Sequence, residues 1–288
     1  MKELSESPMD RREAVCALAA LAVTPLIARA DTETTRPRKL DRIGLAVLTV
    51  NSVSSHDYEG TMRKVAEIGY RDVDMYIYES RREPTETRKL LDRVGLACTS
   101  ARVASPALYR GWDRFLDAAN TLGARWITLA NVTYEERLHM RDWQELADVL
   151  NRAGAAARSR GMTLCYHNHS FELEPLEDKI PLDFLLAATD PELVKLQMDV
   201  YWMTHGGRDP AAEIRRLGSR VATLHLKDMD RTPARGITSV GNGKIDFARI
   251  LAAAADVKVA NYYVEEDAPR DPLAAIRASY DHLAWLDF

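Results

Sequence analysis

Four short segments of the chain end in side chains that can bind a metal ion or move a proton. They span residues 166–172, 197–202, 224–228 and 264–267. Each begins as an apolar run typical of a β-strand and turns polar where that run stops. Imidazole and carboxylate ligands together suit a divalent transition metal such as Mn²⁺, Zn²⁺, Co²⁺ or Fe²⁺. The residue types therefore predict one divalent metal site that several segments share.

The spacing within two of these segments indicates which side chains face the same way. Side chains alternate along a strand, so His167 and His169 share one face, and His225 and Lys227 share another. Each polar residue also has an ordinary explanation, such as a helix cap or a salt bridge, but four matching placements on successive strands favour a common site. The ligands predicted in this way are His167, Asp199, His225 and Glu265.

The elements that must position these residues alternate regularly from Leu40 onward. Short β-rich runs are separated by amphipathic stretches with helical periodicity, and Pro210 and Pro272 each follow an aspartate at a predicted helix start. Eight strands that alternate with eight helices indicate parallel βαβ units, and about 250 residues is the usual length of a (β/α)8 TIM barrel. We therefore predict an α/β fold, a TIM barrel over residues 40–288, with a doubly wound open sheet as the alternative.

The predicted strands span residues 43–50, 73–78, 97–103, 126–131, 163–169, 195–200, 221–227 and 262–266. The predicted helices span residues 58–68, 84–94, 112–122, 142–160, 181–188, 210–217, 247–255 and 272–286. In barrels of this class the functional residues lie at the carboxyl ends of the strands, which is where the four polar segments fall.

The first thirty residues are typical of a targeting segment rather than of the fold. Arg11 and Arg12 precede an apolar run over residues 14–28, which ends in a small-x-small cleavage pattern at residues 28–30. The run is shorter than the roughly 20 apolar residues of a membrane span. We expect an export signal resembling the twin-arginine type over residues 1–30, a linker over residues 31–39 and a periplasmic protein. A signal that does not function would leave the protein cytoplasmic.

The composition limits the partners of the protein. The formal net charge of the 288 residues is −4, and it stays −4 when residues 1–30 are removed. Nucleic acids and anionic membrane surfaces usually attract a basic protein, so we expect neither partner. Three cysteines cannot form a disulfide framework, and Cys98 and Cys165 are expected to be buried thiols. A small-molecule enzyme fits this balance, and self-association into a homo-oligomer stays open.

Several segments resemble those of the xylose isomerase-like TIM barrels, the sugar phosphate isomerase/epimerase superfamily. The likeness runs from about residue 40 to residue 286, and it is carried by YHNHSFE, QMDVYW, HLKDMD, VGNGKIDF and YYVEED. The resemblance implies one divalent metal, often Mn²⁺, with ligands from strands five to eight. Asp199, His225 and Glu265 match the ligands of strands six, seven and eight.

Strand five departs from the family pattern. The sugar epimerases place there a glutamate that both binds the metal and moves a proton, whereas this chain has His167 and His169. His167 is the better ligand by position, with His169 or Glu172 as substitutes. A histidine bound to metal cannot act as the base in the same way, so the replacement puts the two-glutamate epimerase mechanism in doubt.

The expected chemistry is proton removal next to a carbonyl group of a sugar or keto-sugar. The metal acts as a Lewis acid, and Glu172 or Glu265 is the candidate base. Lys227 either neutralises the developing oxyanion or pairs with Glu265 or Asp267. Return of the proton makes the protein a sugar isomerase or epimerase, which is the first expectation. Loss of a β-substituent makes it a lyase or hydrolase of 3-keto-glycosides, and a non-catalytic sugar-binding barrel is the alternative of another class.

Other polar residues near the strand ends are candidates for substrate binding. Trp202 offers a ring on which a sugar can stack. The glycine-rich loop at residues 240–244 either cradles an anion such as phosphate or forms an ordinary tight turn. An exported protein would meet few sugar phosphates, which favours an unphosphorylated carbohydrate. The predicted substrate-binding residues are Asn168, His169, Trp202 and Arg231.

Overall fold

The computed structural model describes residues 38–288, and these residues form a closed barrel of eight parallel strands. The strands are β1 Gly44–Ala46, β2 Asp72–Tyr76, β3 Ala97–Ala104, β4 Trp126–Asn131, β5 Thr163–His167, β6 Val194–Asp199, β7 Val221–Leu226 and β8 Asn261–Val264. Each strand pairs with the next along the chain, and β8 closes the barrel by pairing with β1.

One main helix follows each strand and packs on the outside of the barrel. These helices are α1 Tyr58–Ile68, α2 Pro84–Val94, α3 Trp112–Leu122, α4 Met140–Ser159, α5 Pro181–Ala188, α6 Pro210–Leu217, α7 Phe247–Asp256 and α8 Pro272–Trp285. Shorter helices, Asn51–Ser54, Pro106–Tyr109 and Val200–His205, lie in the loops after β1, β3 and β6. A short antiparallel pair, Asp228–Met229 with Ile237–Thr238, follows β7.

The architecture confirms the predicted TIM barrel and excludes the doubly wound sheet. The bounds of α1, α2, α3, α5 and α6 are those predicted. Each of these helices is marked in the sequence by a proline at its start, a glycine just after its end, or both. The first strand is much shorter than predicted. Only Gly44–Ala46 pairs with β8 and β2, and Val47–Val50 continues as a buried 3₁₀ helix. The β-branched residues there reflect burial rather than strand pairing.

Aspartate side chains begin several of the helices, as the sequence predicts. Asp209, which precedes Pro210, accepts a hydrogen bond from the amide of Ala211. Asp271, which precedes Pro272, accepts one from the amide of Ala274. An aspartate in this position satisfies amide groups that a helix start leaves unpaired, and its charge suits the positive end of the helix. These caps fix where the loops that frame the barrel mouth end.

An apolar layer between the strands and the helices forms the core. It joins strand residues such as Leu164 and Leu224 to helix residues such as Leu150 and Ile250, all buried. Because side chains alternate along a strand, the intervening residues of the same strands point to the barrel interior. Polar and charged side chains that lie on those inward faces near the mouth are therefore enclosed rather than solvated.

The chain ends of the described region meet at the base of the barrel. Arg38 and Phe288 exchange two backbone hydrogen bonds, of 2.9 and 3.0 Å, so Arg38 is tied to the barrel although the sequence places it in the linker. The predicted export signal and the predicted linker up to residue 37 lie outside the described residues. Within residues 38–288, no helix combines the length and the apolar character that a bilayer span requires.

Candidate metal centre

The four predicted ligands meet at the carboxyl ends of β5 to β8. Each residue offers one ligand atom, and these atoms all lie within 4.8 Å of one another. Ligands on opposite sides of a transition metal are about 4.2 Å apart, since each bond is roughly 2.1 Å long. The side chains are enclosed, with at most 2% of any of them exposed. The residues in this cluster are His167, Asp199, His225 and Glu265.

His167 is the last residue of β5 and is held in one orientation by a neighbouring strand. Its Nδ1 lies 3.1 Å from the amide oxygen Oε1 of Gln197, an acceptor that requires the ring proton to be on Nδ1. Burial, together with the charges of His225 and His169, holds the pKa of His167 well below its usual range. The ring is therefore neutral with Nε2 free of its proton, which is the form that binds a metal.

His225 on β7 lies between two carboxylates. Its Nε2 is 2.7 Å from Oδ2 of Asp74 on β2, and its Nδ1 is 3.0 Å from Oε2 of Glu265. Burial alone would lower the pKa of His225, but the charges and hydrogen bonds of Glu265 and Asp74 outweigh it and raise the pKa to about 9. Asp74 can keep the Nε2 proton while Nδ1 becomes the ligand atom, an arrangement common behind metal-bound histidines.

Two buried cations lie against Glu265 just beyond the end of β8. Nη1 of Arg102 on β3 is 2.8 Å from Oε1, and Nζ of Lys227 is 2.8 Å from Oε2. Burial would raise the pKa of Glu265, yet Lys227, His225 and Arg102 hold it well below its usual range. Glu265 is therefore an anion and a weak base. The sequence left two roles open for Lys227, and the structure shows the ion pairs, including one of 3.1 Å with Asp267.

Asp199 provides the observation that tests whether these residues fit a metal ion. Its Oδ1 accepts a hydrogen bond of 3.0 Å from the amide of Trp202, whereas its buried Oδ2 accepts none within the described residues. Nζ of Lys227 lies 3.3 Å from Oδ2, and Nε2 of His167 lies 4.0 Å away. A buried carboxylate oxygen that lacks a hydrogen bond and faces an unprotonated imidazole nitrogen fits a cation ligand.

His169 and Trp202 lie at the outer edge of the cluster, where the sequence placed them. The ring of His169 is 5.0 Å from that of His167 and 5.7 Å from that of Trp202, and a quarter of its side chain is exposed. Its Nδ1 makes no hydrogen bond with any described residue, and the nearest carboxylate oxygen, Oε1 of Glu172, is 3.7 Å away. Nζ of Lys227 lies 5.5 Å from the centre of the Trp202 ring.

Two residues of the strand-five segment serve a different purpose from the one predicted. Glu172 is fully buried, and its oxygens accept hydrogen bonds of 2.8 Å from the Tyr166 hydroxyl and 2.9 Å from the His169 amide. It lies outside the cluster and is not placed to take a substrate proton. Asn168 is also fully buried, and its Oδ1 accepts a hydrogen bond of 3.0 Å from the Asp199 amide. It therefore holds the backbone of β6 at Asp199.

The glycine-rich loop holds an anion that belongs to the protein itself. The carboxylate of Asp228 accepts hydrogen bonds from the amides of Gly241, Gly243 and Ile245, at 2.9 to 3.1 Å, and from Met229 at 2.7 Å. The loop therefore does not offer these amides to a phosphate. Arg231, predicted to reach the substrate, is exposed in the loop that joins the two strands of the short antiparallel pair.

Three residues that surround the cluster were missed at the sequence level, namely Asp74, Arg102 and Gln197. Asp74 and Arg102 come from β2 and β3, on strands that carried no predicted site residue. Charged side chains are rarely buried unless they are paired, so an aspartate and an arginine inside predicted strands were an available signal. Their partners lie across the barrel and could not be read from spacing along the chain.

A closed parallel barrel that gathers metal-binding residue types at the carboxyl ends of its strands defines a protein of the TIM-barrel enzyme class. The chain belongs to the family described as xylose isomerase-like TIM barrel, whose model matches residues 62–286. This match confirms the resemblance seen in the strand-end segments, and it makes the chain a member of a family of sugar-processing enzymes.

Known proteins with similar sequences or structures carry several enzyme names. Inosose dehydratase of Geobacillus kaustophilus (strain HTA426) is 25% identical over 290 aligned positions, covering 84% of this chain and 92% of the relative. A sugar phosphate isomerase/epimerase from Parabacteroides distasonis ATCC 8503 has a TM-score of 0.74 at 21% identity, covering 88% of this chain and 98% of that one. An IolI protein with a bound zinc atom has a TM-score of 0.67 at 13% identity, and the match covers 83% of this chain and 95% of that one. At such identities the structural likeness shows a shared fold.

Proposed function

We propose that the protein is a metal-dependent carbon–oxygen lyase that acts on an unphosphorylated keto-sugar or keto-glycoside. The observation that carries the proposal is the composition of the cluster. Histidine stands at the strand-five position, and the one ligand glutamate is held as a weak base by Arg102 and Lys227. Epimerisation by two glutamates would need one of them at the strand-five position, where this chain has His167. The relatives named inosose dehydratase, which by that name remove water, support elimination.

A divalent ion, Mn²⁺ in this proposal, would be held by the four residues of the cluster. Zn²⁺, Co²⁺ and Fe²⁺ suit the same mixed ligands, and the zinc-bound IolI protein supports a divalent ion in this fold. When bound, the ion supplies Lewis acidity toward the carbonyl oxygen of the substrate. Gln197 and Asp74 keep His167 and His225 in the ring forms that this requires.

His169 is the residue best placed to remove the proton next to the carbonyl. It is the imidazole at the outer edge of the cluster, and it is partly exposed; its buried Nδ1 faces Glu172, which leaves Nε2 as the nitrogen that would take the proton. Glu172 holds it by the backbone amide and faces its ring, so it acts as a positioning residue. Trp202 lies 5.7 Å from His169 and provides an aromatic face for the sugar. In this proposal His169 takes the role of general base, for which the sequence offered Glu172 or Glu265.

Product mass tests this proposal. Mn²⁺-loaded protein is incubated with methyl 3-keto-β-glucoside, and the products are separated by mass. Elimination releases methanol, whereas an isomer or epimer of unchanged mass would support the first expectation from the sequence instead. Binding without turnover would indicate a sugar-binding barrel. His169→Ala should lower kcat by on the order of 10²–10⁴-fold while metal content stays at the wild-type value, and the exposed His56→Ala serves as the control.

We also propose that residues 1–30 direct export of the folded, metal-loaded chain. The support is the arginine pair, the apolar run and the small-x-small end of the segment. N-terminal sequencing of protein recovered from its native cell tests this proposal. A mature chain that begins at residue 31 is expected, and an intact N-terminus in the cytoplasm would contradict it.

A further inference from the structure

A cleft of about 550 Å³ opens on the side of the barrel mouth formed by β1 to β3, away from the strands that carry the predicted ligands. Ligand pockets commonly have volumes on the order of 300–1,000 Å³ and mostly apolar walls. The apolar wall residues include Leu48, Tyr76, Tyr78, Val103, Ala107 and Phe115. The roles assigned so far to the metal cluster, His169 and Trp202 do not use this cleft.

Arg102 connects the cleft with the metal cluster. It lines the cleft, and its Nη1 is also 2.8 Å from Oε1 of Glu265. Its guanidinium lies 5.1 Å from the centre of the Tyr76 ring, which forms another part of the lining. Arg102 is buried and contacts both the cleft lining and Glu265, so the cleft lies directly beside the metal cluster.

The outer wall of the cleft is aromatic. The rings of Tyr78 and Phe115 meet edge to face at 6.1 Å, and Arg114 lies within 5.8 Å of both ring centres. Tyr78 is 37% exposed, so part of its ring is open to solvent. Such rings offer a planar surface to an apolar or aromatic group of a ligand.

Glu79 places a carboxyl group in this otherwise apolar lining. Its Oε2 accepts a hydrogen bond of 3.2 Å from the Tyr76 amide, and its Oε1 makes no hydrogen bond to a described residue. Burial raises the pKa of Glu79 to about 7, although the Tyr76 amide and Arg102 pull it down, and Asp74 and Glu265 add to the rise. A substantial fraction of this group therefore carries a proton near neutral pH.

We propose that this cleft holds the leaving group of the substrate and that Glu79 donates the proton that the leaving oxygen requires. The inference rests on the proposed lyase function and specifies its substrate as a keto-glycoside with an apolar or aromatic aglycone. His169 takes the proton from the carbon next to the carbonyl, and the electron pair of that carbon–hydrogen bond forms a double bond to the next carbon. The carbon–oxygen bond at that next carbon breaks with its electron pair on oxygen. Glu79 protonates that oxygen and regains a proton from solvent, while His169 loses its proton to solvent.

The dependence of the rate on the leaving group tests this role. Mn²⁺-loaded wild type and Glu79→Gln are assayed with methyl and p-nitrophenyl 3-keto-β-glucosides. Methoxide is a poor leaving group without a proton, whereas p-nitrophenolate is a stable anion. The variant should lose on the order of 10²–10⁴-fold in kcat with the methyl compound and change little with the p-nitrophenyl compound. Glu79→Asp should restore part of the loss, and the exposed Glu83→Gln should match wild type.

The outcomes separate the inference from the proposed function. Equal losses on both substrates, or no loss on either, would overturn the role of Glu79. A wild type that releases neither alcohol nor phenol would overturn the lyase function and this inference together. Phe115→Ala gives an independent reading if Glu79→Gln does not fold. It should raise KM roughly tenfold for the p-nitrophenyl compound alone, and an equal KM change for both compounds would overturn the assignment of the cleft.

Discussion

Asp199 and Asp228 are fully buried carboxylates at the ends of neighbouring strands, but their surroundings differ. Asp228 accepts four backbone hydrogen bonds, which join the end of β7 to the glycine-rich loop. Asp199 has one oxygen without a hydrogen bond, and that oxygen faces Lys227 and His167. A carboxylate whose oxygens all accept hydrogen bonds holds the fold, whereas one with an oxygen that lacks a hydrogen bond in a charged cluster is available to a ligand.

The largest expected effect is a difference in stability between Asp228→Asn and Asp199→Asn. The new amide at residue 228 would face backbone donors, so the free energy of unfolding should fall by about 3–5 kcal/mol. The amide oxygen introduced by Asp199→Asn can still cap the Trp202 amide, and burial already raises the pKa of Asp199. The loss in metal-free Asp199→Asn should therefore stay within about 1 kcal/mol.

Urea denaturation of both variants in the presence of a chelator measures this difference. The metal content of the two variants should differ in the opposite direction from their stability. Asp199→Asn should lose bound metal, whereas folded Asp228→Asn should keep it. Equal destabilisation by the two substitutions would remove the distinction between a structural and a ligand-binding carboxylate.

A smaller effect is expected from Gln197→Leu, which removes the acceptor behind His167. The ring would no longer be fixed in the form that presents Nε2 to the cluster, so the affinity for Mn²⁺ should fall about 10–100-fold. Calorimetric titration of metal-free protein with Mn²⁺ measures this affinity, and Gln144→Leu at an exposed position is the matched control. Unchanged affinity in Gln197→Leu would show that this hydrogen bond does not orient a ligand.

The smallest effect concerns Glu79 and the stability of the metal-free protein against pH. Its folded pKa of about 7 exceeds its ordinary value of 4.5, so the folded state holds a proton that the unfolded state has lost. Wild-type stability should therefore fall as pH rises from about 4.5 to above 7. A fully enclosed group with this shift would cost roughly 3 kcal/mol, and solvent screening of the partly exposed Glu79 side chain reduces the fall to about 1–2 kcal/mol. Glu79→Gln should remove that part of the pH dependence in chelator-treated protein. Parallel curves for the two proteins would show that Glu79 is not buried enough to matter.

Most of the fold could be predicted from the sequence, because the residues that start and end its helices act locally. Prolines at helix starts, such as Pro210, and glycines at helix ends are read within a few residues of where they act. The four clustered residues were also predictable, since the carboxyl ends of successive parallel strands must meet. The side-chain alternation that located His167 and His225 holds only within a strand.

The misses follow from the same limit. β5 ends at His167, so the alternation that placed His169 on the same face no longer applies beyond it. The buried Asn168 and Glu172 accept hydrogen bonds from backbone amides instead. Asp74 and Arg102 reach the cluster only because the barrel closes, a relation that no spacing along the chain contains. The glycine-rich loop does bind an anion, as its composition suggested, but the anion is Asp228.

The central claim is that the buried cluster at the ends of β5 to β8 is a metal site. Elemental analysis of purified wild type and His225→Ala, each exposed to excess Mn²⁺ and then desalted, tests it most directly. We predict about one divalent ion per wild-type chain and almost none in a folded His225→Ala, because the substitution removes one of the four ligands. A wild type without stoichiometric metal, or equal metal content in the two proteins, would contradict the account.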